Sequence, residues 1–145
     1  MIARTDISPT NGVDLDERSA LEHFFGKSRE EALALFRDNF CYYVEDLTYM
    51  GDKAFFYYLG AVRDYLEEGG FTPSDYVDMA RELLGVIQYR KPLLPNDDMR
   101  WIREHIAARL EEMVRHDESW ALDPGLISEK KIRNLTKRWR EGVPG

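Results

Sequence analysis

Only one cysteine, Cys41, stands among the 145 residues. No disulfide can close within the chain, and a reducing compartment is the expectation. Without a Cys-x-x-Cys pair there is no thiolate zinc site. No stretch approaches the ~20 apolar residues that a membrane span needs. The opening segment MIARTDISPTNGVDLDE lacks the apolar core of a secretory signal. Together these absences predict a cytoplasmic protein with no membrane attachment. Glycine-rich phosphate loops and Gly-x-Ser-x-Gly elbows are missing too. Histidine is scarce, at three residues, and Ala20, Ile102 and Met113 stand three positions before them. The Glu-x-x-His spacing that builds di-iron bundles is therefore excluded. Glu112 and His116, four apart, fit a shared metal or, more simply, a solvated pair at a helix end. No catalytic residue, metal or cofactor is nominated.

What is present is helical. Hydrophobic residues make up 43% and charged residues 32% of the chain, a globular composition. Six helices are predicted, around one core, in a single domain over 1–145 with 1–13 as a flexible tail. Asp14 and Glu17 have capping-box spacing before a helix from Leu15 to Phe25, and Gly26 stops it. Ser28 and Glu31 open a second helix that carries Phe36, Phe40, Val44 and Leu47 on one stripe to Met50. A third runs from Asp52 to the glycine pair Gly69–Gly70. Thr72, Pro73 and Asp75 open a fourth. Pro92 and Pro95 mark the following loop. Asn96 caps a fifth helix to His116, and Asp123-Pro124-Gly125 forms a turn. The sixth, over 128–141, is basic and amphipathic. Runs of β-branched alternation are absent. The fold class is therefore all-α, a compact bundle of about six helices.

Aromatics concentrate in one stretch. Ten of the eighteen fall between Phe36 and Tyr65. Successive rings, as in Phe55-Phe56-Tyr57-Tyr58, rotate by ~100° per residue and cannot all face one core. Either this helix pair is sandwiched on two sides, or some rings stay outside as a binding patch. Glu45 and Asp46 sit within the stretch; adjacent carboxylates on a helix diverge, which makes a poor acid–base pair. A buried hydrogen-bond network with tyrosine hydroxyls or an arginine such as Arg63 is the plainer reading. The candidate pocket or interface is Tyr43, Glu45, Asp46, Tyr49, Tyr57, Tyr58 and Arg63. Cys41, beside Tyr42 and Tyr43, reads as a small packing residue and not a reactive thiol.

The charge is uneven. The net value is −7, yet residues 128–145 carry a local +4 against −11 elsewhere. The basic side chains Lys130, Lys131, Arg133, Lys137, Arg138 and Arg140 either offset the acidic body or meet an anionic partner. Candidate acidic interaction residues are Glu67, Glu68, Asp97, Asp98, Glu111 and Glu112, with Asp117-Glu118 as a further cluster.

The residues Phe24-Phe25-Gly26-Lys27-Ser28, Glu31-Ala32, Leu35-Phe36, Tyr43, Glu45-Asp46-Leu47, Tyr49-Met50-Gly51, Ala54-Phe55, Tyr57-Tyr58-Leu59 and Tyr65-Leu66 form a string. It resembles a bacterial family of small helical proteins that carries a domain-of-unknown-function label. The resemblance covers about residues 20–68 and implies a bacterial source and a helical fold, without site residues. The expected function is a small acidic protein-interaction module, immunity-like, that meets a basic protein partner. The alternative is an enzyme or small-ligand binder with an aromatic and carboxylate pocket between the second and third helices. Nucleic acid, through the sixth helix, ranks below both.

Overall fold

The computed structural model describes residues 1–90, 93–116 and 128–143. Pro92, the turn at Asp123-Pro124-Gly125 and the Asp117-Glu118 cluster lie outside them. The elements are α1 (Arg4–Ile7), α2 (Leu15–Phe24), α3 (Arg29–Val44), a 3-10 segment (Glu45–Tyr49), α4 (Asp52–Glu68), α5 (Pro73–Tyr89), α6 (Asp97–Arg115) and α7 (Glu129–Gly142). There is no strand among the described residues. The all-α bundle stands, with one short helix more, among the described residues, than the six expected. No helix there is long and apolar enough to cross a membrane.

Local chemistry sets the helix starts. Ser28 accepts from the Glu31 N–H and the Glu31 carboxylate returns the bond to Ser28 N–H. Thr72 accepts from Asp75 N–H, Asn96 from Met99 N–H and Ser128 from Lys131 N–H. Each satisfies an amide that the helix itself leaves unpaired. Apolar stripes then pack the helices: α3 against α4 and α5, α4 against α6, and α7 against α6 and α5. Phe24, Phe36, Phe55, Tyr58, Leu83, Ile87, Ile106 and Trp139 are fully buried within this core. Trp139 carries α7 into it and donates its indole N–H to the Ala80 carbonyl at 3.2 Å.

Three sequence expectations change. The segment 1–13 is folded: α1 buries Ile7 and Ser8, and Gly51 N–H donates to the Asp6 carbonyl at 2.9 Å. A Cβ on Gly51 would stand 2.8 Å from that same carbonyl oxygen, so only glycine admits the contact. The Asp14–Glu17 capping box does not form, because the Glu17 carboxylate is buried and engaged elsewhere. It accepts from Ser8 Oγ (2.5 Å), Thr10 N–H (3.0 Å) and Thr10 Oγ1 (2.8 Å), while Asp14 caps Asp16 N–H alone. The expected second helix is also not continuous. Its backbone leaves helical geometry at Asn39 (φ −158°, ψ 88°), where Oδ1 accepts the Tyr42 N–H, and it tightens to 3-10 geometry after Val44.

Trp139→Ala should lower unfolding free energy by ~3–5 kcal/mol, the usual cost of emptying an aromatic site, as measured by urea denaturation. Glu17 gives a pH signature. Burial pushes its carboxyl up, and the hydrogen bonds from Ser8 and Thr10 more than reverse this, so its pKa lies below the ordinary value. Its stabilisation is then complete above the ordinary glutamate pKa and is lost as pH falls through the depressed folded value. Hydrogen exchange at the Thr10 and Gly12 amides should lose protection in that acid window, and Glu17→Gln should weaken protection already at neutral pH.

Candidate functional site

An open cleft of about 520 Å³ runs between α2, the 3-10 segment and α5. From α2 come Leu15, Asp16 and Ser19; from the 3-10 segment Glu45, Asp46, Thr48 and Tyr49; from α5 Arg81, Glu82, Gly85, Val86 and Tyr89. Four carboxylates thus face one guanidinium. The apolar part of the wall includes exposed side chains: Leu15, Tyr49 and Tyr89 all stand open to solvent. The two tyrosine rings meet edge to face, with centroids 5.2 Å apart.

Arg90, at the end of α5 and outside the cleft lining, ties α5 to the 3-10 segment. Its side chain is only 8% exposed. One Nη donates to the carbonyls of Leu47 (3.2 Å), Thr48 (3.0 Å) and Met50 (2.5 Å), the other to Asp52 at 2.8 Å. The guanidinium also lies 4.3 Å from the centroid of the Phe55 ring. Burial lowers its pKa, with Asp52 acting against the shift, and an arginine stays charged through such a shift. The carbonyls that close the 3-10 segment are therefore satisfied from α5, and the two cleft walls are tied by one side chain.

Within the cleft the adjacent carboxylates diverge as expected. Glu45 is exposed, whereas Asp46 is 7% exposed and sets its Oδ2 2.6 Å from His23 Nδ1. The His23 ring is flanked by Tyr42 and Tyr43, at 5.4 Å and 5.1 Å. Ser19 Oγ lies 3.5 Å from that same Nδ1. A hydrolytic relay needs serine and carboxylate on opposite ring nitrogens, so Ser19, His23 and Asp46 do not compose one. Glu82 is pushed above the usual carboxylate range, by burial first and then by the charge of Glu45 and a hydrogen bond to it. Nearby Cys41 is half-buried, and burial followed by the charges of Glu82, Asp78, Asp75 and Glu45 pushes its thiol up. That is the opposite of thiolate activation. Tyr49 is raised by Asp16 first, then by Tyr89. No group of three metal-ligating side chains gathers among the described residues.

The other sequence candidates are placed elsewhere. Tyr58 is buried, donates to the carbonyls of Phe24 and Lys27 at 2.9 Å each, and is pushed up to about 12 by burial; it pins the turn between α2 and α3. Tyr57 accepts from Arg29 N–H at 3.0 Å and lines a separate cleft beside Phe25 and Met1. Tyr43 packs on His23 outside the cleft. Arg63 does not reach Glu45 or Asp46: it pairs with Glu67 (3.0 Å) and Asp98 (3.2 Å) and lies over the Trp101 ring. Of the chosen residues only Glu45, Asp46 and Tyr49 share the cleft, and it opens toward α5, not between α3 and α4. Asp16, Glu82, Tyr89 and Arg90 went unrecognised; α5 offered the alternation of Glu82 and Tyr89 beyond its buried stripe, but nothing local marks their meeting with Glu45.

The six acidic residues chosen as an interaction surface are all engaged within the chain. Glu67 and Asp98 hold Arg63, and Glu68 holds Arg37. Asp97 faces Arg100 at 3.7 Å, Glu111 holds Arg140 at 2.6 Å and Glu112 faces Arg109 at 4.0 Å. Asp16, Glu45 and Glu82 make no ion pair among the described residues. The chain matches no family model, no curated protein and no solved structure.

A carboxyl raised by burial and a like-charged neighbour works against folding once ionised. The folded state then holds its proton more tightly, and this advantage is lost as pH rises through the folded pKa. Glu82→Gln should therefore raise the thermal midpoint at neutral pH, by about 1–2 °C, and the gain should vanish below the ordinary carboxylate range. Melting curves at the two pH values test it.

Proposed function

We propose that this chain is a protein-interaction module that receives a basic segment of a partner protein in the cleft between α2, the 3-10 segment and α5. The observation that carries the reading is the meeting of Asp16, Glu45 and Glu82, without ion-pair partners among the described residues, with the exposed rings of Tyr49 and Tyr89. Carboxylates attract and orient a lysine or arginine, and tyrosine faces hold its cation and its methylene stem. A net charge of −7 favours encounter with such a partner. The acidic residues on α4 and α6 contribute less, since their charges are already met by arginines.

Titration with a short lysine- and arginine-rich peptide, followed by tyrosine fluorescence and calorimetry, tests the reading. Binding should weaken with added salt and fall about tenfold in the Glu45→Gln/Glu82→Gln double variant, the scale of a lost charge-assisted contact. Glu67→Gln/Glu112→Gln should leave it nearly unchanged. Equal loss in both variants would reduce the effect to net charge and end the assignment of the cleft.

One observation favours a second reading, a small cationic ligand: the cleft volume falls within the ~300–1,000 Å³ of small-molecule sites. Its wall is more polar than such sites usually are, which supports the peptide. A diamine that saturates the cleft with the same loss in the double variant, while the peptide shows no binding, would select the ligand reading.

A further inference from the structure

We propose that the groove between α5 and α7 is an oxyanion site that holds one phosphate group. It is lined by Arg81 from α5 and by Lys131, Asn134, Leu135 and Arg138 from α7, around a volume of about 350 Å³. It lies beside the acidic cleft, with Arg81 on the ridge they share, and it does not depend on what that cleft binds.

The rotation of α7 makes the groove. Ile132, Leu135 and Trp139 are buried, and the Trp139 indole is hydrogen-bonded to the α5 backbone. Residues three and four apart share a helix face, so Lys131, Asn134 and Arg138 form the adjoining stripe over α5. Arg138 is oriented by a 2.9 Å bond from Nη2 to the Gln88 Oε1. That acceptor is neutral, so it positions the guanidinium without cancelling its charge.

The other two arginines of α7 are treated differently, while Lys130 and Lys137 also lack an ion pair among the described residues. Arg133 pairs with Glu129 at 2.7 Å, and Arg140 pairs with Glu111 at 2.6 Å and Glu104 at 3.2 Å. Arg81, Lys131 and Arg138 make no ion pair among the described residues. In a chain with 27 acidic side chains, three cations are gathered around one groove and no carboxylate lines it. Their mutual repulsion is relieved by an anion set among them. Two guanidinium forks, an ammonium and an amide N–H2 supply donors from several directions, which suits a tetrahedral phosphate with its two charges better than a planar carboxylate with one.

The charge distribution also argues for one phosphate over a nucleic-acid strand. On the far side of α7, Arg133 and Lys137 line a separate cleft together with Glu111. Glu129 likewise stands in the cleft of Lys130 and Arg133, so a nucleic-acid backbone leaving the groove on either side would meet a carboxylate, whereas none lines the groove itself.

Titration of nitrogen-15-labelled protein with inorganic phosphate, against sodium chloride at matched ionic strength, tests the site by NMR. The expected result is saturable shifts at the Asn134 and Leu135 amides and at the Arg81 and Arg138 side-chain nitrogens. Affinity should drop about tenfold in Arg81→Gln/Arg138→Gln and stay unchanged in Lys137→Gln. Both arginines are exposed, so the variants should melt as the parent does. A phosphomonoester should shift the same signals. Shifts reproduced by chloride would overturn the proposal. So would tight binding of a single-stranded oligonucleotide that spreads to Lys130 and Lys137 and survives the double variant.

Discussion

Arg90 places a guanidinium where three backbone carbonyls converge at the end of the 3-10 segment. Carbonyls at a helix end, turned away from water, are costly to leave unpaired. A charged donor with a rigid fork is well suited to satisfy several at once. Because Arg90 closes α5, the same contacts tie that helix to the segment that carries Glu45, Asp46 and Tyr49. The cleft has two walls held in register for this reason, and the Phe55 ring beneath the guanidinium continues the bond into the core. His23 and Asp46 make a parallel tie from α2, so three elements are fastened to one short turn.

The arrangement of charge is as informative as its amount. The arginines of α3, α4 and α6, Arg115 excepted, each stand within ion-pair distance of an acidic neighbour. Exposed pairs of this kind contribute little to stability, but they remove charge from the surface that a partner meets. On the two flanks of α5, unpaired groups of opposite sign gather: carboxylates with tyrosines on one side, cations with an amide on the other. A helix whose buried stripe is apolar and whose flanks carry opposite charge presents two chemically distinct surfaces a few residues apart. The raised carboxyl of Glu82 indicates that one of these surfaces is held at some expense to the fold, as recognition sites often are.

Much of the framework was legible in local patterns. Ser28 with Glu31, Thr72 with Pro73 and Asp75, and Asn96 before two aspartates announce helix starts, because a cap is completed within four residues. The buried stripes of α4, α5 and α6 followed from periodicity for the same reason. The aromatic stretch resolved into both readings: Phe36, Phe40, Phe55 and Tyr58 face the interior, while Tyr42 and Tyr49 remain outside. Where a local pattern misled, a distant partner had displaced the near one. Glu17 has the spacing of a capping residue, but the hydroxyls of Ser8 and Thr10 engage its carboxylate instead. Arg63 was expected as an arginine that meets Glu45 or Asp46, and Glu67 and Asp98 hold it instead.

By itself the sequence determined helix content, most helix boundaries and the apolar face of each helix, since those depend on propensity, capping and periodicity over a few residues. It also excluded the chemistries whose signatures are local. Only the tertiary structure decided which charges are spent and which are free. The pairs Arg37–Glu68, Arg63–Asp98 and Arg140–Glu111 join residues 31, 35 and 29 positions apart. Arg90 reaches carbonyls 40 to 43 positions away. A carboxylate looks the same in a sequence whether or not an arginine meets it, because that meeting is set by how helices pack and not by what stands beside it in the chain.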